Sequence, residues 1–377
     1  MINIINKKLT GKTFAEINAG IGGGRLALES LGAEKVYAYE SDKHAARVYE
    51  ENFGDEPVNT LIASDVPEHD ILLVKLRYED FKKINMSTDS RPDNIISNIG
   101  DVINLRKPEV VLIESAGASG GVLEHLIRTS DYIVYSDILN AVDYGIPQNR
   151  KSLYYVAIRK DKAVNDFSFP ESVVLEKHVE DILEPASAVP AEMYVNRADL
   201  VMNGKVEMES NRPIQIGYIG KNSQGERIYS IRGVAPTLTP NGGGKLSKTG
   251  GYSIDGKLRK LSVRECARLM GFPEEFRICT SNNQAYRQFG NSVVVDVLQY
   301  ILLSVADAIE EHKGNIATDD STLKNEYSNS AKKIFSGVVR KVMAICGKIK
   351  LGIVKMSEYL YYKINPGGAR IPAWAVA

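Results

Sequence analysis

Three cysteines in 377 residues, at 266, 279 and 346, are too few and too far apart for a disulfide framework. Their odd number fits a reducing cytoplasm. The five histidines, at 44, 69, 125, 178 and 312, share no ligand spacing with one another or with a cysteine, so no zinc site is expected. No run approaches the roughly 18 uninterrupted apolar residues of a membrane span. The first residues, MINIINKKLTGK, lack the apolar core of a secretory signal. Neither sign of charge dominates, with 47 Lys+Arg against 47 Asp+Glu. A zero total does not exclude a nucleic-acid partner, because patches bind rather than totals. What remains is 44% hydrophobic and 25% charged, an ordinary globular composition with length for two domains.

Residues 13–160 alternate strand-like and helix-like segments. TFAEIN (13–18), VYAYES (36–41), DILLV (70–74), PEVVLIES (108–115), YIVYSDILN (132–140) and SLYYVAIR (152–159) read as strands. GGGRLALESLG (22–32), DKHAARVYEENFG (42–54), NIISNIGDVINLR (94–106) and GVLEHLIRT (121–129) read as helices. Strands separated by helices imply right-handed crossovers and a mostly parallel α/β sheet. The pattern breaks near residue 163. Residues 164–260 are rich in Gly, Pro, Asn and Ser and read as a smaller, irregular β-rich domain. Helical periodicity returns at SVRECARLMGF (262–272) and at 292–312, whose last helix is expected to pack back on the first domain. Residues 313–331 read as a polar linker. Residues 332–363 form a basic amphipathic stretch with eight Lys/Arg and one Glu, suited to its own protein, to DNA phosphates, to a partner or to an acidic membrane surface.

NAGIGGG (18–24) sits between a strand and a helix, where glycines let a ligand approach the positive helix end. Glu40 ends the next strand, where a carboxylate can bind ribose hydroxyls. The two together fit a nucleotide-type ligand, and on their own they leave a nucleotide-binding oxidoreductase open. Residues 212–260 carry nine Lys/Arg and two acids, interleaved with NSQGERIYS and NGGGK. The patch fits a solvated loop face, or a DNA surface on which cations meet phosphates while Gln, Arg and Asn read base edges.

The order of the motifs narrows these choices. FAEINAGIGGGRLALESLGAEKVYAYE is followed by PEVVLIES, NAVDYGIPQNRKSLYYVAIR, RKLSVRECARLMGFP and QFGNSVVVDVLQYI. Over residues 1–311 this resembles the DNA (cytosine-5) methyltransferases of bacterial restriction–modification systems. The resemblance implies a Rossmann-like S-adenosylmethionine domain (1–163, completed by 261–312) and a target-recognition domain (164–260) that reads double-stranded DNA in a cleft, as a monomer. In that family the target cytosine is flipped out and attacked by a Cys thiolate, while a Glu holds the ring nitrogen. It implies cofactor contacts at Gly20, Ile21, Gly22, Gly23, Glu40, Asn291 and Val293. Catalytic positions fall at Glu114 and Arg150, and DNA contacts at Gln224, Arg227, Arg232, Asn241, Gly243 and Lys245.

The chain departs from the family where chemistry is done. The family's Gly-Phe-Pro-Cys-Gln is matched by Lys75-Leu76-Arg77-Tyr78-Glu79, so Tyr78 stands in the place of the nucleophile. A phenol, titrating near ~10, offers no route to covalent addition. Ser115 and Ala116 replace the Asn and Val after the catalytic Glu, and Ser152 replaces the second Arg of Gln-x-Arg-x-Arg. Asn18 replaces the usual Phe, Ser41 a Trp and Thr60 an Asp of the cofactor pocket. Cys266 lies mid-helix and reads as structural. The expectation is a DNA-binding family member with impaired or absent catalysis and doubtful cofactor binding. The alternative is active methylation of cytosine C5 in a GCGC-like site, with a relocated nucleophile or a partner subunit.

Overall fold

The computed structural model describes residues 7–77, 80, 95–115, 131–204, 208–242 and 244–310. Tyr78, Gly243, Cys346, the helix expected at 121–129, the linker and the basic tail lie outside them.

Every strand expected in the first half forms: β1 (Thr13–Ile17), β2 (Glu34–Tyr39), β3 (Ile71–Leu76), β4 (Val110–Ser115), β5 (Tyr132–Asn140) and, beyond the short β6 (Gln148–Asn149), β7 (Lys151–Arg159). β3 and β4 are buried at every position, and the apolar runs ILLV and VVLI that open them are what a covered sheet demands. The sheet order is β2-β1-β3-β4-β7-β5. β1–β2, β1–β3 and β3–β4 are parallel, as expected. β7 is antiparallel to both β4 and β5, which limits the parallel expectation to the first four strands. The chain passes from Asn140 to Lys151 through a one-turn helix and β6, and a parallel return needs a crossover of a dozen residues or more.

The helices are α1 (Gly23–Ser30), α2 (Lys43–Phe53), α3 (Ile95–Arg106), α4 (Val263–Arg268), α5 (Asn282–Asn291) and α6 (Val295–Ile309). Asp42 caps α2 by accepting the His44 N–H, and Gly54 closes it in the left-handed region, at φ 77°. α5 was not legible in its polar sequence. Ser281 caps it, and tertiary contact holds it through Tyr286, whose hydroxyl donates to the Leu261 carbonyl at 2.5 Å. α6 packs back against α1 of the first half, with Gln299 donating to Ser30 at 2.8 Å and Leu298, Ile301 and Leu302 in the large core. By length and composition Asn282–Ile309 would pass for a membrane span, but 72% of that window is buried inside the protein.

The second half supplies a five-stranded sheet of short strands, built from β8 (Val201–Met202), β9 (Gln215–Tyr218), β10 (Arg227–Tyr229), β12 (Gly251–Ile254) and β13 (Lys257–Lys260) in the order β13-β12-β10-β9-β8. It encloses its own small core of Ile216, Ile219, Ile228, Leu246 and Leu258. β11 (Ala235–Pro236) pairs instead with β6. Around β6, Gln148 donates to the Leu269 carbonyl and accepts from the Leu238 N–H. This buried glutamine thus ties β6 to the segment after β11 and to the end of α4.

Chain order fixes where a site belongs. From β1 the chain moves to β2 on one side, and β3 lies on the other. The crevice beyond the carboxyl ends of β1 and β3 is therefore the switch point at which open α/β sheets bind ligands.

Candidate functional site

The glycine turn lies at that switch point. Gly22 holds φ 91°, and a Cβ there would overlap the Phe53 ring. A Cβ on Gly24 would overlap the Glu16 carboxylate and Leu73. These two positions therefore admit no side chain. The Gly20 N–H donates to Glu40 at 2.9 Å, tying the turn to the end of β2. Ile21 is buried in the large core. Gly23 packs against Ser292 and Val293. The space left is a cavity of about 20 Å³ lined by Glu16, Asn18, Gly20, Lys75, Asn291 and Val293 among others, room for one water. Ser41 and Thr60 are exposed.

Arg77 and Asp80, the described residues just after β3, add charge beside this cavity. Arg77 reaches across the crevice and donates to Glu40 at 3.3 Å and to the Asn18 side chain at 3.1 Å. Its backbone N–H donates to Asp80 at 2.7 Å. Asn18 in turn donates to the Lys75 carbonyl at 2.8 Å and to Asp80 at 3.2 Å. Asn18 adopts φ 57°, a left-handed conformation that Asn tolerates better than most residues. Glu40 also accepts the Asp42 N–H at 2.7 Å. The carboxylate read as a ribose ligand thus holds three internal donors.

Glu114 is sealed in the same way. It is fully buried at the end of β4, and one oxygen is ion-paired with the Lys75 ammonium on the adjacent strand. Its other oxygen, Oε1, has no hydrogen-bond partner among the described residues. Burial pushes the Lys75 pKa down, and the attraction of Glu114 opposes that shift. Arg150 is buried too. It donates to the carbonyls of Leu238, Gly290 and Ser292 at 3.0–3.1 Å, so its guanidinium staples the segments around the crevice. Cys266 is buried, and burial pushes its thiol well above the usual range, which disfavours a thiolate there. Cys279 is half-buried.

Lys75, Arg77 and Asp80 carry this arrangement, and no role was read for them from the sequence. One signal was available for Lys75. A lysine inside a strand buried at every position must meet an acid or lose its charge.

Glu16 lies beneath the turn and was also missed. Burial raises its pKa to about 8, with Arg25 pulling it back down. One oxygen, Oε2, has no partner. An acid whose folded pKa lies above its unfolded value holds extra protons only when folded, so the fold loses stability as pH rises from about 4.5 to 8. Glu16→Gln keeps the shape without the charge. Melting curves should coincide below about pH 4 and separate by pH 9, the variant being more stable by on the order of 4 kcal/mol. Parallel curves across that range would count against the buried acid.

In the second sheet a cavity of about 180 Å³ is lined by Gln224, Thr237, Thr239, Asn241, Ser247 and Lys248 among others. Of the residues read as DNA contacts, Gln224 and Asn241 line it and Lys245 is exposed nearby. Arg227 lies in β10 with its Nε buried and unpartnered, and Arg232 lies in the turn that follows. Lys248 and Lys260 stand over the Tyr286 ring at 5.8 and 5.3 Å. Burial lowers both ammonium pKa values, and repulsion from Arg287 for Lys248, and from Lys248 and Lys245 for Lys260, lowers them further. Lys248 holds φ 77°, a strained conformation for a lysine. Arg259 does not belong to this cationic surface, although the patch as read from sequence included it. It is buried in a two-bonded ion pair with Glu265, both contacts at 2.7 Å, because a guanidinium under a sheet requires an acid.

A family model for C-5 cytosine-specific DNA methylase matches residues 12–307. The chain is 42% identical to the Type II methyltransferase M.HhaI of Haemophilus parahaemolyticus over 324 residues, 82% of this chain and 98% of that protein. It is 32% identical to M.NlaX of Neisseria lactamica over 76% of this chain and 93% of the relative. Among solved structures, S. pombe Dnmt2 methyltransferase superposes with a TM-score of 0.59 at 21% identity, covering 78% of this chain and 98% of the other. A Spodoptera frugiperda DNMT2 mutant gives 0.62 at 18% identity, covering 78% and 99%. At such identities these two superpositions speak to the fold, a Rossmann-like methyltransferase domain.

Proposed function

The chain belongs to the C-5 cytosine-specific DNA methylase family, and from that premise we propose that it binds double-stranded DNA without methylating it. In this reading residues 1–163 and 261–312 form the cofactor-type domain, and residues 164–260 form the part that reads DNA. The observation that carries it is the Lys75–Glu114 pair. A carboxylate meant to hold a cytosine ring nitrogen must be open to the flipped base, and this one is sealed by an ammonium from the neighbouring strand. The nucleophile's position is held by Tyr78, and the buried thiol of Cys266 is inert. Binding of S-adenosylmethionine, the family's cofactor, is impaired in this reading.

Transfer of tritiated methyl groups to a GCGC-containing duplex tests the proposal. The expected incorporation is background, and incorporation that requires S-adenosylmethionine would overturn it. The same assay decides the other reading, methylation of cytosine C5 in a GCGC-like site, which the 42% identity to M.HhaI favours.

DNA binding has its own expected outcome. The cations gathered at Tyr286 repel one another, and a phosphate between them would relieve that repulsion. Lys248→Ala and Lys245→Ala should each weaken binding to unrelated duplexes about equally. Each should also flatten the logarithmic dependence of affinity on salt by about 1. Salt titrations of gel-shift affinity measure this, and unchanged slopes would remove these lysines from the interface.

A further inference from the structure

Taking the glycine turn as the family's cofactor site, as the reading above does, we propose that Arg77 is a built-in occupant of that site and that the chain does not take up S-adenosylmethionine. The guanidinium lies across the carboxyl ends of β1 and β2, bonded to Asn18 and Glu40. Asp80 fixes the start of its loop by accepting the Arg77 N–H, and its carboxylate also lies 3.5 Å from the guanidinium. Glu40, the acid that a ribose would seek at this switch point, and Asp80 beside it already face that charge.

Among the described residues, those at the turn do not fit the group. The cavity beside the turn is about 20 Å³, against roughly 300–1,000 Å³ for pockets that enclose a small-molecule ligand. Asn18 completes the closure. Both ends of its amide are engaged, with Arg77, with Asp80 and with the Lys75 carbonyl. An adenosyl group would have to displace a buried, charge-assisted network and then rebuild its own contacts with Glu40. Breaking such bonds without replacing them is costly, so the network disfavours uptake in addition to the small cavity.

Calorimetric titration of the purified full chain with S-adenosylmethionine and with S-adenosylhomocysteine tests this. The wild type should give no binding heat up to about 1 mM ligand. Arg77→Ala should bind S-adenosylhomocysteine at least tenfold more tightly than that limit. Micromolar binding by the wild type would overturn the proposal. So would a silent Arg77→Ala whose circular dichroism and melting match the wild type. If Arg77→Ala does not fold, Arg77→Met keeps the aliphatic stem and removes the charge, and the same two outcomes apply to it. Gel shifts on the same preparations keep the proposals apart. DNA affinity unmoved by S-adenosylhomocysteine supports the occupied site, and affinity that rises with the compound refutes it. A chain that binds neither DNA nor the compound would refute DNA binding while supporting the role of Arg77.

Discussion

Tyr78→Cys alone should leave methyl incorporation at background. A sulfur at 78 restores one atom, but the chemistry needs an open carboxylate beside the base and an open crevice beside the donor. Lys75 closes the first by pairing with Glu114, and Arg77 closes the second by bonding Glu40 and Asn18. Both cations lie within the same short segment. Replacing residues 75–79 with Gly-Phe-Pro-Cys-Gln removes the two cations together and supplies the thiol. That graft should exceed Tyr78→Cys by at least a hundredfold, since a working acid–base group contributes roughly 10²–10⁴. Asn18, Ser41 and Ser152 still depart from the family in the graft, so the full activity of a relative is not expected from it. Tritium incorporation into GCGC duplex measures both variants, with circular dichroism to check that each is folded. Equal turnover by the two would mean that Lys75 and Arg77 do not hold the site closed.

This result turns on what a sequence can and cannot convey. The strands of the first sheet were legible because ILLV and VVLI are apolar without interruption, and a covered parallel sheet demands such runs. The glycine turn was legible because Gly22 and Gly24 leave no room for a side chain, which makes them part of a spaced pattern. α5 was not legible, since SNNQAYRQFGN gains its helix from Ser281 and from the burial of Ala285, Tyr286 and Phe289 after folding. The antiparallel turn of β7 was hidden for a similar reason: direction is a property of pairing partners, and β5 and β7 each look like any other buried strand. At the site, the acids were found one by one at the ends of strands. Their partners were not, because Lys75 meets Glu114 only when β3 and β4 lie side by side. Arg77 meets Glu40 only across β1. Arg259 shows the opposite error. Counted among surface cations in one dimension, it is a core residue in three.

Lys75→Met should destabilise the folded chain by about 3–5 kcal/mol, the cost of leaving one member of a buried ion pair without its partner. Methionine has similar length and flexibility, so the loss is one of charge rather than of packing. Glu114 would be left fully buried with neither oxygen satisfied, since Oε1 already has no partner. For a unit of this size the penalty corresponds to a fall in melting temperature on the order of 10 °C. Pairing the change with Glu114→Gln removes the second charge and should recover most of the loss, because two neutral groups of similar shape do not require each other. Glu114→Gln alone should cost less than Lys75→Met alone. The lysine it leaves is already pushed toward its neutral form by burial and can shed its proton. A thermal or denaturant cycle over the four proteins gives the coupling directly. Additive losses would mean that the pair is not linked, and the sealed carboxylate would then fail as the support for the proposed absence of methylation. Strong coupling, with the double variant close to wild type, would show that the fold itself depends on the internal bond between Lys75 and Glu114.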